Sequence, residues 1–197
     1  MPDKIFTNDH FKLLNKWNGT VYDKTNPEQQ RVYEELRHAY DVTKQWAEAL
    51  QQHSFPNGWT KTVRKPTDRS GKFTPYNWAR VYPEQSSHKG LAYTVGIGTG
   101  EGFVVKIDLV DTQIDDPALR RKYEQLRGSF TSSPIVAIMS ISDGLAMDFT
   151  ALVKWSADAI QRFKFTYDEV AEQLGLFAIA DGENLLRHFQ GHKVFVE

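Results

Sequence analysis

The chain has 197 residues, of which 40% are hydrophobic and 25% charged, and its net charge is −1 at pH 7. This length and composition are those of a globular protein with a sizeable core, and the lack of cysteine excludes disulfides, thiolate metal ligands and cysteine nucleophiles. A net charge near zero excludes strong long-range attraction to a polyanion, so any such attraction must come from a local patch.

Two helices are predicted at the start of the chain. Thr7 or Asn8 can cap a short helix that runs through Trp17. Asn26-Pro27 places a capping residue before a proline at the first helical position, and apolar side chains then recur at helical spacing to about residue 52. The pattern predicts a long amphipathic helix with one apolar stripe, formed by Val32, Leu36, Ala39, Tyr40, Thr43, Trp46, Ala47 and Leu50.

The middle of the chain changes to the period of β-strands. Residues 59–65 and 76–82 are predicted as strands, joined by a polar loop over 66–75. Residues 91–97 alternate as a half-buried strand, and a glycine-rich turn leads into a further strand over 103–110. The short connections predict an antiparallel meander.

The last third of the chain mixes helices and strands. Asp115-Asp116-Pro117 predicts the start of a helix to about Arg127, and the apolar run over 134–141 predicts a central buried strand. Two separate helices are predicted next, over 149–163 and, after a capping-box pattern at Thr166, to Leu174. A last helix over 181–189 and a short edge strand over 193–196 complete the prediction.

These elements predict one α+β domain over residues 1–197, with a mostly antiparallel sheet of about five strands. A long N-terminal amphipathic helix and C-terminal helices pack on that sheet. Its parts are a helical N-terminal part (1–57), a β-meander (58–111) and mixed helices with one central strand (112–197). The sequence has no signal-peptide pattern and no apolar run near the roughly 20 residues of a membrane span. We therefore expect a soluble cytoplasmic protein that has no membrane partner.

Positive charge and aromatic rings concentrate in the same stretch of the sequence. Residues 59–90 contain seven Lys and Arg against two Asp and Glu, a net of +5, which leaves −6 for the rest of the chain. Cations can contact phosphates and ring faces can stack on bases, so this composition is typical of a nucleic-acid surface. Strand periodicity places Tyr76, Trp78, Arg80 and Tyr82 on one face.

We therefore hypothesise a non-enzymatic nucleic-acid-binding module that could read bases or modified bases. The alternative for the aromatic strand is that its rings belong to the core, with Arg80 at the sheet edge. The predicted nucleic-acid-binding residues are Arg64, Lys65, Arg69, Lys72, Tyr76, Trp78, Arg80, Tyr82, Lys89 and Tyr93.

Two other functions fit the sequence. The first is a protein-interaction module or inhibitor subunit, which the aromatic content and the absence of a catalytic motif in the sequence favour. The second is a metal-dependent nuclease or hydrolase around Asp108, Asp111 and Asp143, although the spacing of Lys106 and Asp108 is not the usual one. We assign no catalytic residue, metal ligand or cofactor, because His188 and His192 flank a glycine and the glycine-rich segment 96–102 precedes a strand rather than a helix.

Overall fold

The computed structural model describes residues 6–62, 65–85, 87, 90–99, 102–109, 117–129, 135–141, 143–174 and 194–195. Its helices are α1 (Asn8–Trp17), α2 (Pro27–Ser54), α3 (Pro117–Ser129) and α4 (Phe149–Gln173), with one turn of 3₁₀ helix at Asp143–Ala146. Its strands are β1 (Trp59–Thr62), β2 (Tyr76–Tyr82), β3 (Leu91–Gly98), β4 (Gly102–Leu109), β5 (Ile135–Ile141) and β6 (Val194–Phe195).

The six strands form one sheet in the order of the chain, β1-β2-β3-β4-β5-β6. The first five pair antiparallel, and β6 adds to β5 in parallel. The predicted α+β class and antiparallel meander are therefore confirmed. The strand predicted to be central, β5, lies toward one side of the sheet instead, and β3 and β4 occupy the middle.

The two N-terminal helices begin where their capping residues predict. The Asn26 side chain accepts hydrogen bonds from the backbone N–H groups of Glu28 and Gln29, and Pro27 stands at N1, where a missing N–H is harmless. All eight residues of the predicted stripe of α2 are buried.

No described helix has both the length and the apolarity needed to cross a membrane.

One face of the sheet is covered by α2 and α4 and holds the main core. Strand residues that point to this inner face include Val81, Val95 and Val105. Between the two helices, the buried Trp46 indole N–H donates to Ser156 Oγ at 2.9 Å, so the α2–α4 contact is specific as well as apolar. Near the start of β2, the Tyr40 hydroxyl donates to the Tyr76 carbonyl oxygen at 3.0 Å, and burial raises the pKa of Tyr40 to about 12.

Two local predictions were wrong. The helices predicted over 149–163 and from Thr166 are one continuous helix, α4, in which Phe163 and Tyr167 are buried on the same side. A shared apolar face at i and i+4 therefore outweighs the capping pattern at Thr166. Strand β3 is buried at every residue rather than at alternate ones, because it runs between β2 and β4 and carries small residues on the face away from the helices.

Candidate functional site

The face of the sheet turned away from α2 and α4, here called the outer face, collects most of the polar and aromatic strand residues. Directly opposed residues of antiparallel strands share a face, so the register assigns each side chain. Along β2, outward and inward residues alternate as the sequence predicted. The outward residues are Tyr76, Trp78, Arg80 and Tyr82, and the inward residues are Asn77, Ala79 and Val81. The outer face carries Trp59, Lys61, Tyr76, Trp78, Arg80, Tyr82, Thr94, Val104, Lys106 and Asp108.

Trp78 and Arg80 form the best-defined contact of the outer face. The guanidinium carbon of Arg80 lies 4.1 Å from the centroid of the Trp78 ring, a cation–π geometry. Both side chains are half-buried, and the neighbouring Tyr76 is 46% exposed. Opposite these rings on β3 stand Gly98, facing Tyr76, and Gly96, facing Trp78. On the β3 side, the two rings therefore border glycine backbone rather than side chains.

A side chain at Gly96 would collide with β2. A Cβ built there meets the Asn77 carbonyl oxygen and lies 2.8 Å from Trp78 Cα and 3.0 Å from Trp78 Cβ. Contacts this short do not occur between real Cβ atoms and backbone, so Gly96 permits the close approach of the two strands under Trp78.

Tyr82 and Tyr93 do not offer rings to a ligand on this surface. Tyr82 is 0% exposed and stacks on Trp59 with ring centroids 3.9 Å apart and an interplanar angle of 7°. Burial raises the pKa of Tyr82, while the neighbouring Arg80 guanidinium opposes that rise. Tyr93 points to the inner face, where it is 1% exposed and stacks between Phe55 and Tyr167.

A cavity of about 310 Å³ opens on the inner side next to Tyr93. Stacked rings form part of its wall, and the Lys164–Asp168 ion pair, with N···O at 2.6 Å, lines its edge. Burial raises the pKa of both Tyr93 and Tyr167, so their phenols stay neutral at physiological pH. This cavity is separate from the outer face, because Tyr93 belongs to the opposite side of β3.

Four buried polar atoms of the outer face have no hydrogen-bond partner within the described parts of the chain. They are Trp59 Nε1, Arg80 Nε, Thr94 Oγ1 and Asp108 Oδ1. Lys106 Nζ lies 3.8 Å from that Asp108 oxygen, which makes an ion pair of half-buried groups, 17% and 14% exposed. Because buried polar groups are nearly always hydrogen-bonded, these four atoms are positions where a ligand could supply the missing partners.

The predicted basic loop is an ordered hairpin. Asp68 Oδ1 accepts hydrogen bonds from the backbone N–H groups of Ser70 and Lys72, and Gly71 has a φ of 80°, a left-handed conformation that glycine adopts without strain. Phe73 anchors the loop in the core, and its backbone N–H donates to the Thr20 carbonyl oxygen at 2.9 Å. Lys65, Arg69 and Lys72 are exposed.

The loop connects directly to the first residue of β2, Tyr76, so it lies beyond that end of the strand. Its hydrogen bonds to residues 19–22 hold it toward the helical layer rather than over the outer face. Arg64 and Lys89, which the sequence also assigned to the site, lie outside the described residues.

The predicted nucleic-acid-binding set lacks three residues, Lys61, Thr94 and Lys106, that the register adds to this surface. Lys61 is exposed and pairs with Arg80, a position that alternation from Trp59 already indicated. Thr94 pairs with both Arg80 and Lys106, and this required the register of three strands. The side chains of Asp111, Asp115 and Asp116 are not described, and among the described residues no three His, Asp or Glu side chains lie close enough to hold a metal ion.

Comparison of the chain with models of known protein families, with curated proteins and with solved structures found no match.

Proposed function

We propose that the protein is a nucleic-acid-binding module that uses the outer face of β1 and β2, with Tyr76 and Trp78 as stacking rings and Lys61 and Arg80 as phosphate contacts. The observation that supports this most is the joint position of rings and cations in register on one sheet face. Stacking on Tyr and Trp tolerates any base, and Arg can both stack and bind phosphate.

The composition of the outer face favours a single strand over a duplex. Tyr76 and Trp78 are two residues apart on the same strand, so their Cα atoms are separated by about 6.8 Å along β2. Rings at that spacing, beside Gly96 and Gly98, can take unpaired bases on their faces. A duplex keeps its bases stacked on one another, and its binding would use the cations alone.

The deciding experiment compares Trp78→Ala with Trp155→Ala. Trp155 is also half-buried, but it packs against the inner core from α4. We expect Trp78→Ala to weaken binding of a fluorescein-labelled oligothymidylate at low salt by about 5- to 150-fold, since a stacked base contributes about 1–3 kcal/mol. Trp155→Ala should lower the melting temperature and leave the affinity unchanged.

The stability of Trp78→Ala separates a ligand surface from a core position. A tryptophan in a packed core costs about 3–5 kcal/mol on truncation, whereas the half-buried Trp78 should cost clearly less. Absence of oligothymidylate binding by the unmodified protein at low salt would refute the proposal. Equal loss of affinity in the two variants would do the same, because the effect would then be one of folding.

Fewer structural observations support the other two functions predicted from the sequence. For a nuclease, Asp108 is already paired with Lys106. For a protein-interaction module, the large exposed hydrophobic side chains among the described residues are only three, Val21 before α2, Tyr76 on β2 and Phe165 on α4. Magnesium-dependent cleavage of the labelled oligonucleotide that Asp108→Ala abolishes would favour the nuclease.

A further inference from the structure

A row of polar side chains crosses the outer face at the level of Thr94. In successive strands Lys61 pairs with Arg80, Arg80 with Thr94, and Thr94 with Lys106. Cross-strand neighbours have Cβ atoms about 4.5–5.5 Å apart. The long side chains of Arg80 and Lys106 therefore flank the short Thr94 side chain from both sides. The Arg80 guanidinium lies over the Trp78 ring and Lys106 Nζ lies beside Asp108, so each would change rotamer to contact a ligand at the Thr94 hydroxyl.

The middle of this row consists of hydrogen-bond donors. Thr94 is 0% exposed, and its hydroxyl has no hydrogen-bond partner among the residues that the structure describes. The Nε–H group of Arg80, which can only donate, is also buried and also has no acceptor among those residues. A buried donor without an acceptor loses its interaction with water and gains nothing in return. A ligand that supplies several acceptor oxygens would satisfy both groups.

The charge of the row selects the ligand. Lys61, Arg80 and Lys106 contribute +3 and Asp108, paired with Lys106, contributes −1, so these residues sum to +2. Hydrogen bonds from charged donors to an anion are about twice as strong as neutral ones. The site therefore suits an oxyanion more than a neutral or cationic group.

We infer that Arg80, Thr94 and Lys106 form a subsite for a phosphate-type oxyanion. Resting on the proposed function, the anion is a backbone phosphate of the bound strand, next to the base on Trp78. Trp78 and Arg80 are two residues apart on one face of β2, a spacing of about 6.8 Å. Arg80 and Lys106 are only partly buried, and access of a ligand to the fully buried Thr94 hydroxyl requires one of them to change rotamer.

Thr94→Val tests the subsite because its effects on stability and on binding differ in sign. Valine keeps the branched shape and removes the hydroxyl. The melting temperature should stay the same or rise, since an unsatisfied buried hydroxyl is lost. Oligothymidylate affinity at low salt should fall about tenfold, the value of one hydrogen bond to a charged group.

Thr43→Val is the matched control. Thr43 is also buried, but its hydroxyl donates to the Ala39 carbonyl oxygen at 3.0 Å on α2. This variant should leave oligothymidylate affinity unchanged. A second variant, Lys106→Met with Asp108→Asn, removes the cation without leaving a carboxylate unpaired. It should make the slope of log affinity against log salt less negative by about 0.7, and it decides the matter if Thr94→Val folds poorly.

Inorganic phosphate separates the two sources of the anion. If the subsite takes a backbone phosphate, oligothymidylate binding should fall in Thr94→Val, and millimolar phosphate should compete with it. If the unmodified protein gains melting temperature with phosphate but binds no oligothymidylate, the subsite stands with free phosphate as ligand and the proposed function fails. Unchanged affinity and unchanged phosphate response in both subsite variants would overturn the subsite, whatever Trp78→Ala shows.

Discussion

His10 shows how one buried imidazole is held where α1 meets α2. Its Nδ1 accepts a hydrogen bond from the Thr7 backbone N–H at 3.1 Å, and its Nε2 lies 3.2 Å from a carboxylate oxygen of Glu35. This arrangement requires the tautomer with its proton on Nε2. Burial lowers the pKa of His10 and nearby His38 lowers it further, while the carboxylates of Glu35 and Asp9 oppose the shift.

The lowered pKa predicts a loss of stability on mild acidification. An unfolded histidine titrates near 6.5, so as the pH falls through that value the unfolded chain binds a proton before the folded chain does. The free energy of unfolding should therefore decrease below about pH 6.5 and level off once the pH is below the folded-state pKa. Urea unfolding measured at a series of pH values between about 7.5 and 5 checks this.

His10→Gln is the variant that isolates the effect. Glutamine can still accept from the Thr7 N–H in a capping-box arrangement, but it does not titrate. Its stability should depend less on pH than that of the unmodified protein, whereas the exposed His53→Gln should behave like the unmodified protein. An identical pH dependence in all three proteins would show that His10 has no part in it.

At the scale of elements, α2 and α4 are joined by a buried hydrogen bond. The Ser156 hydroxyl accepts from the Trp46 indole N–H at 2.9 Å and donates to the Leu152 carbonyl oxygen at 2.8 Å. Ser156→Ala leaves the indole N–H unpaired in the core, so it should cost about 1–3 kcal/mol of unfolding free energy. In the Trp46→Phe background, the same serine change should cost less, because no N–H remains to be satisfied.

Urea unfolding of the two single variants and the double variant measures this coupling. An equal cost of Ser156→Ala in both backgrounds would mean that the bond contributes nothing beyond packing.

The elements that the sequence predicted well are those defined by local chemistry. Asn26-Pro27 determines the start of α2 through its own hydrogen bonds, and alternation from Tyr76 determines which β2 residues point inward. The continuity of α4 depends instead on packing against other elements. Thr166 fits a helix start locally, but burial of Phe163 and Tyr167 on one side keeps the helix unbroken.

At the scale of the whole molecule, the composition of the outer face depends on the pairing of distant segments, which no local pattern of the sequence specifies. The outward direction of Trp78 and Arg80 follows from the period of one strand. The alignment of Lys61, Arg80, Thr94 and Lys106 in one row follows from the register of four strands, which no local pattern specifies. The burial of Tyr82 could not be predicted from a local pattern either, because it results from stacking on Trp59 of another strand.

The distribution of charge over the molecule predicts how binding responds to salt. If the three cations Lys61, Arg80 and Lys106 contact phosphates of a single strand, the slope of log affinity against log salt should be near −2. Anisotropy titrations of oligothymidylate over a range of sodium chloride concentrations give this slope. A salt-independent affinity would contradict a phosphate contact.

Glutamine substitutions show which cations produce the slope. Replacing Lys65, Arg69 and Lys72 together should leave the slope unchanged, because hydrogen bonds hold this loop away from the outer face; a magnitude lower by about 2 would show that the loop reaches the strand. An unchanged slope would confine the phosphate contacts to the outer face. Replacing Lys12 and Lys16 on α1, both exposed and paired with carboxylates, is the matched control and should have no effect.

In β2, β3 and β4, odd-numbered residues build the core and even-numbered residues build the outer face. Within these three strands, numbering parity thus separates a core set from an outer set. Exchanging the partly exposed even positions Tyr76, Trp78 and Arg80 should leave the fold intact, whereas Gly96 has no room for a side chain. Inserting or deleting a single residue inside one of these strands would exchange the two sets beyond that point and place Arg80 or Lys106 among the core valines.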